Sequence, residues 1–235
     1  MQTSFLPIIC DRTKPPPETA DAACIAIEDA TAKRYLCKSG KFNALIPATE
    51  WICAALARSI KIPVADSVVV KIQDDDELMF GSIWEGGSQK DVLAALPKVS
   101  NKGIFSETLA FDLTVHNEDR HIHNYLYLDL AGDIVAKLID ASKAFIYHSI
   151  PIPPLPFDPQ CPTIISKAHW TRHHSFQKQL AVSTARRVLS LPAEWMERVL
   201  DGMPPEWIHP VEITELDRWW RDDRAARIDQ VIQEL

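Results

Sequence analysis

The chain has 235 residues, a formal net charge of −7, 46% hydrophobic and 24% charged residues, and 17 prolines against 7 glycines. That is enough chain for one globular domain or two lobes packed as one. The glycines stand at 40, 81, 86, 87, 103, 132 and 202, so neither GxGxxG nor GxxxxGKS/T can be written, and glycine-rich phosphate loops of those kinds are excluded.

The acidic balance argues against binding duplex nucleic acid, which needs a dense basic surface. Five cysteines without a CxxC pair suggest neither a disulfide framework nor a zinc ribbon, and a reducing cytoplasm is the expected compartment. No basic-then-apolar leader and no run of ~18 apolar residues is present, so no membrane segment is expected.

In chain order, residues 1–21, with the polar, proline-rich DRTKPPPETA, read as an extended lead-in. Two short strands follow, Cys24 to Glu28 and Arg34 to Lys38, joined by a turn at Asp29, Ala30 and Thr31. That turn has no glycine, so no flexible flap over bound phosphates is expected from it. PATEWICAALARSI places Trp51, Ile52, Ala55, Leu56 and Ile60 at helical spacing, with Pro47 in the first turn and Pro63 as a stop. Strands are predicted at 67–72 and 77–84.

The second half begins with a helical pattern over 104–116 and a polar loop, NEDRHIHN. YLYLDL and IVAKLI then flank Ala131, Gly132 and Asp133 as a hairpin. The proline-dense SIPIPPLPFDPQCP is irregular, and its stiffness suits a platform for substrate. From about Ser166 onward helices are predicted, broken at Pro192, Pro204, Pro205 and Pro210. Trp219, Trp220 and the apolar residues after them read as a packing face. Strands with one helix, then helices around a hairpin, give an α+β class with two lobes: an N-lobe over 22–87 and a C-lobe over 88–235. A ligand would sit between them.

The chemistry concentrates around the hairpin. The residue entering its first strand and the residue leaving its second lie at one end, which brings Asn124 and Asp140 together, with Asp119 five residues before Asn124. Hard oxygen donors that converge in this way suit Mg²⁺, with phosphate and water as the other ligands, and leave one carboxylate as a base. The order Asp, Asn, hairpin, Asp is the order of a kinase site. That order also asks for a strand lysine and a helix carboxylate in the first lobe, and Lys38 and Glu50 stand there. His116, His121 and His123 lack a spaced partner such as HExxH, so a zinc reading is weaker. Metal-dependent hydrolysis is a distant alternative.

The strings YLCKSGK, TEWICAALARSIKIPVAD, FGSIWEGG, NEDRHIHN and LIDASKAF, in this order, resemble the HipA-type kinases, in particular the compact HipA-like group with an N-x-DRH-xx-N loop. The DRHxxN string is also similar to the catalytic loop of phosphatidylinositol-type lipid kinases. The resemblance spans roughly residues 22 to 235 and implies a protein-kinase-like fold with ATP between a small antiparallel-sheet lobe and a mostly helical one. It implies transfer of the γ-phosphate to a Ser or Thr of a protein, a toxin–antitoxin setting and an antitoxin-like partner.

By position, Lys38 would hold the α/β-phosphates and Glu50 would orient it. Asp119 would be the catalytic base, His121 would stabilise phosphate charge, and Asn124 and Asp140 would hold Mg²⁺. Ile83, Trp84 and Glu85 would contact the adenine. The alternatives are a non-catalytic nucleotide-binding or interaction module of the same fold, and a kinase of a lipid or small molecule.

Overall fold

A computed structural model describes residues 6–15, 23–41, 43–85, 91–145, 152–173 and 175–235. The expected lobe boundary near residue 87 lies outside them. The strands are β1 Ile8–Cys10, β2 Arg12–Lys14, β3 Cys24–Glu28, β4 Lys33–Lys38, β5 Ser67–Ile72, β6 Leu78–Ile83, β7 Tyr125–Leu130 and β8 Asp133–Leu138. The helices are α1 Ile46–Ser59, α2 Val92–Ala95, α3 Gly103–Val115, α4 Pro162–Arg172, α5 Lys178–Leu189, α6 Trp195–Asp201, α7 Pro210–Arg218 and α8 Arg224–Glu234. The class is α+β, as the sequence predicts.

The lead-in does not survive as such. Six strands form one sheet in the order β1-β5-β6-β4-β3-β2. Only Asp11 separates β1 from β2, so one bent strand pairs with both ends of the sheet: parallel with β5 through Ile8↔Val70, antiparallel with β3 through Thr13↔Ala26. Asp11 N–H donates to Ile27 O (3.0 Å) and Gln73 N–H to Cys10 O (3.0 Å), which continues the pairing on either side of the bend. The sheet thereby closes on itself as a small barrel. The expectation of a purely antiparallel sheet is corrected by the same strand. Polar composition concealed its second half, Arg12–Lys14, while the apolar Ile8–Cys10 is too short to show strand alternation by itself.

Cys10, Ala26, Tyr35, Cys37, Val70 and Met79 fill the barrel. Gly81 lies opposite Cys37 and Val68, and a Cβ there would stand 2.4 Å from Val70 Cγ2. Side chains alternate along a strand, so Leu36, Lys38 and Phe80 face outward from the barrel. There Phe80 and Val69 join α1 residues Ile52 and Leu56 in the main core.

α1 carries Pro47 in its first turn and ends at Ile60, one residue before Lys61 turns left-handed (φ 65°). Indole N–H groups tie it and the barrel to the helical part: Trp51 to Val199 O (3.2 Å), Trp195 to Ser59 Oγ (2.9 Å) and Trp207 to Leu78 O (2.7 Å). α3 is buried on all sides and ends at His116, whose left-handed backbone (φ 54°) turns the chain into the polar loop.

The β7–β8 connection is two residues, not three. Ala131 (φ 57°) and Gly132 (φ 100°) both lie at positive φ, and Asp133 already pairs with Leu130. Such mirror-image turns match the twist of the strands. Further on, α4 starts at Pro162, earlier than predicted, and α5 stops before Pro192. A single π-helical turn, Trp219–Asp223, joins α7 to α8 and buries both tryptophans, confirming the packing face. No helix of the described residues is long and apolar enough to cross a membrane.

Candidate functional site

A cavity of about 290 Å³ lies between the outer face of the barrel and the β7–β8 hairpin. Leu138 N–H donates to Pro63 O (2.7 Å) and Val64 bridges to Leu138, so hairpin and barrel meet at its floor. All nine residues singled out from the sequence line it: Lys38, Glu50, Ile83, Trp84, Glu85, Asp119, His121, Asn124 and Asp140.

Lys38 ends β4 and is 6% exposed. Its Nζ lies 2.6 Å from Glu50 Oε1 and 2.7 Å from Asp140 Oδ1, so one ammonium joins the barrel, α1 and the hairpin exit. Glu50 Oε1 also accepts the Ala141 N–H (3.1 Å). Burial works against the Lys38 charge, but the two carboxylates overcome it and hold the ammonium well above the ordinary lysine range.

Asp140 has a left-handed backbone (φ 58°), rare for a residue with a side chain. The fold holds it there with Lys38 and with the Ser142 hydroxyl, which donates to Oδ1 at 2.9 Å. Burial raises its carboxyl, yet Lys38 and Ser142 outweigh that, and it sits well below the usual carboxylate range. Asp140 is therefore an anion at any physiological pH.

The loop between α3 and β7 is shaped by a sealed ion pair. Asp112, in the middle of α3, takes Arg120 Nε (2.9 Å) and Nη2 (3.0 Å) as a fork, with both side chains buried. Arg120 Nη1 then donates to Asn124 O (3.0 Å) and Ile139 O (2.6 Å), which draws the entry and exit of the hairpin together. Asn117 Nδ2 donates to Asp112 Oδ1 (2.8 Å), and Thr163 Oγ1 to Asn117 O (2.7 Å). With its backbone so held, the loop presents Asp119, His121 and Asn124 to the cavity.

Asn124 Nδ2 donates to Asp119 O (3.0 Å), which leaves the amide oxygen as the acceptor end of that side chain. Asp119 Oδ2 is paired with Lys143 Nζ at 2.9 Å, and both side chains are more than a third exposed. His121 Nδ1 accepts the His123 N–H (3.2 Å), and burial lowers its pKa, so the ring is neutral with its proton on Nε2.

At the other end, Ile83 pairs with Tyr35 while Phe80 pairs with Lys38, so the rim at Ile83–Glu85 lies three residues, about 10 Å, along the sheet from the lysine. Glu85 is held by Lys137 Nζ at 2.7 and 2.8 Å. Leu36, Val64, Leu126 and Leu138 make the wall between the two ends apolar.

Comparisons with solved structures follow this geometry. A kinase from Helicobacter pylori, the proinflammatory kinase CtkA, superposes with a TM-score of 0.63 at 12% identity over 98% of this chain and 98% of its own. The fold here is that of the HipA-like kinases. HipA from the Shewanella oneidensis MR-1 toxin–antitoxin complex with HipB and operator DNA superposes with a TM-score of 0.55 at 14% identity, over 85% of this chain and 60% of its own. No protein-family model and no curated protein matches the sequence. At these identities the likeness is one of fold.

The structure accords with the expectation that the Asp29–Thr31 turn forms no flexible flap over phosphates. The glycine-free turn at Asp29–Thr31 lies at the far end of β4 from Lys38, since Glu28 pairs with Lys33 while Cys24 pairs with Cys37. Asp29 N–H is bound by Asp11 Oδ2 (2.9 Å), and Thr31 bonds Glu28, which pins the turn. Lys14 of β2 and Cys24 of β3 lie toward the Lys38 end, and residues 16–22 lie outside the described ones. The proline segment is anchored as well: Pro153 O accepts Arg227 Nη1 (2.8 Å), and Phe157 packs edge-on against His116.

Sequence reasoning missed Asp112, Arg120, Ser142 and Lys143. For Asp112 a signal existed, because it is a carboxylate set between Phe111 and Leu113 in the apolar pattern of α3. A buried acid needs a partner, and Arg120 is the nearest cation after it. Lys143 had no such signal, since only folding brings it to Asp119.

Proposed function

We propose that the protein is an ATP- and Mg²⁺-dependent phosphotransferase that moves the γ-phosphate of ATP to a Ser or Thr hydroxyl of a protein. One observation carries the reading: Lys38 bridges Glu50 and Asp140 at the wall of a cavity that also holds Asp119 and Asn124. The shared fold with two kinases supports it.

The donor set fits Mg²⁺. Among the described residues no group of three or more His, Cys, Asp or Glu could hold a metal ion, which is unlike a zinc or all-protein calcium cage. An ionised Asp140 and the Asn124 amide oxygen are two hard donors, and Mg²⁺ ordinarily takes few protein ligands and completes its shell with phosphate and water. When bound there, the metal supplies charge neutralisation of the phosphates.

The remaining work falls to the chain. Lys38, held between two carboxylates, orients the α/β-phosphates, and the apolar wall with the Ile83–Glu85 rim takes the adenine. Asp119 accepts the proton of the acceptor hydroxyl, and His121, with its proton on Nε2, donates to phosphate oxygen. Lys143 stands beside Asp119, where it offsets negative charge as nucleophile and phosphate approach. Phosphoryl transfer needs little covalent help, so positioning and charge account for the site. In this reading the barrel and α1 act as the small lobe of a kinase and the helical part as the large one.

Incubation of the full chain and a lysate with labelled ATP, with and without Mg²⁺, tests the proposal. Label should enter protein only with Mg²⁺, and Asp119→Ala or Asp140→Ala should abolish it. Transfer that survives both substitutions overturns the assigned roles. ATP-induced thermal stabilisation without any labelling would instead favour a nucleotide-binding module. The toxin setting is tested by whether expression arrests growth and whether a small neighbouring gene relieves the arrest.

A further inference from the structure

The barrel holds three of the five cysteines, and two of them face each other. Cys24 opens β3 and Cys37 lies directly opposite it on β4. Both belong to the cluster inside the barrel, Cys37 as a buried member and Cys24 packed against it at partial exposure. Opposed residues of an antiparallel pair have Cα atoms about 4.5–5.5 Å apart, within the roughly 4.4–6.8 Å that a disulfide spans. Two cysteines so placed can join without moving the sheet. All five thiols are free. Cys10 shares the cluster, but its register partner is Ile72, and Cys53 and Cys161 belong to the other core.

We propose that Cys24 and Cys37 form a peroxide-sensitive dithiol that closes into a reversible disulfide beside Lys38. The inference stands apart from the nucleotide reading. The two sulfurs are electrostatically unequal: the Cys37 thiol stabilises a thiolate at Cys24, against burial, whereas that same contact and its own burial push the Cys37 thiol up. Lys41 favours the Cys24 thiolate, while Glu77 and Asp75 oppose it. In the reduced sheet, Cys37 Sγ rests 3.6 Å from Tyr35 O.

The more exposed Cys24 is thus the attacking sulfur and the sheltered Cys37 the resolving one. The Cys24 thiolate attacks one oxygen of hydrogen peroxide, the O–O bond breaks, and with one proton taken up the products are a sulfenic acid and water. Cys37 sulfur then attacks the Cys24 sulfur. The S–S bond forms, the S–O bond breaks, and the Cys37 proton leaves with the hydroxyl as a second water. The pair loses two electrons to one peroxide, and any thiol reductant reverses the step.

Its position gives the bond a consequence. Cys37 precedes Lys38, and Cys24 is the first strand residue after the β2–β3 connection. Oxidation ties the strand that carries the lysine to the strand beside the cavity's polar end.

The test treats the folded 235-residue chain with hydrogen peroxide, blocks the remaining thiols by alkylation under denaturing conditions, and maps the peptides. The expected result is loss of two of the five thiols, a Cys24–Cys37 linked peptide, and full recovery with dithiothreitol. Cys10→Ala should keep the link and Cys24→Ser should lose it. Because the mapping uses the wild-type chain, the outcome does not hang on the folding of any variant. A Cys24 found only as sulfenic or sulfinic acid, a link to Cys10, or no thiol loss overturns the proposal.

Discussion

Two ion-paired clusters stand on either side of the polar loop, and they are built for different ends. Asp112 and Arg120 are sealed, with a two-pronged bond, Nη1 spent on two backbone carbonyls and the guanidinium over the Tyr125 ring. Lys38, Glu50 and Asp140 are also charged and close, but they line a cavity, and the Asp140 side chain keeps a third of its surface exposed. The first cluster has no face left for a ligand. In the second, an ammonium shared between two carboxylates can exchange one of them for phosphate. Closure of the valences in one place, and their incompleteness in the other, separates a shape-fixing pair from the one to which the proposed function assigns the chemistry.

The sharpest way to break that distinction is at the open cluster. Asp119→Ala and Asp140→Ala should each lower phosphoryl transfer by about 10²–10⁴-fold, the usual range for a lost general base or an equivalent group, with little change in melting temperature for Asp119→Ala and a modest drop for Asp140→Ala, which gives up the Lys38 pair. An equally large loss of stability would make these residues structural. At the sealed cluster the effect should reverse in kind. Arg120→Met leaves Asp112 buried and unpaired, and should cost about 3–5 kcal/mol in denaturant unfolding, with activity falling as a secondary result. The double variant Asp112→Leu with Arg120→Met should recover much of that stability without restoring the loop that Arg120 holds.

Acid titration separates the clusters more finely. The folded pKa of Asp140 is depressed, so its stabilising contribution is present above the ordinary carboxylate range and is lost as pH falls toward its lowered folded value. Stability of the wild type should therefore decline on that acid limb more steeply than that of Asp140→Asn, as read by thermal unfolding at several pH values. Identical slopes would mean that the Lys38–Asp140 pair adds nothing to folding.

The smallest effect belongs to a part of the hairpin remote from both clusters. Gly132→Ala meets no atom within 4 Å but must keep a positive φ, and should cost about 1 kcal/mol while leaving activity intact.

Much of this was legible because it is local. The α1 pattern from Trp51 to Ile60, the strand containing Lys38, and the hairpin with Gly132 at its turn each follow from periodicity and turn chemistry within a few residues. Asn124 and Asp140 could be brought together on paper because a hairpin is itself a distance constraint. The closing strand at Ile8–Lys14 was not legible, because its partners lie about sixty residues away at one end and a dozen at the other. Nothing in so short a run announces that it will pair twice. The strand order around Lys38 was hidden for the same reason, since without the register of β2 it is undetermined.

By itself, then, the amino-acid sequence determined α1, the hairpin and most of the strands, and picked out the residues that line the cavity, because helix period, strand alternation, capping and breaking are short-range effects. Tertiary structure alone decided that β1 and β2 close a barrel, that Lys38 takes Asp140 as well as Glu50, that Lys143 reaches Asp119, and that Asp112 rather than solvent receives Arg120. Each of those depends on burial and on charge placed by distant parts of the chain, and the strength of a charged contact is set by the surroundings that folding assembles.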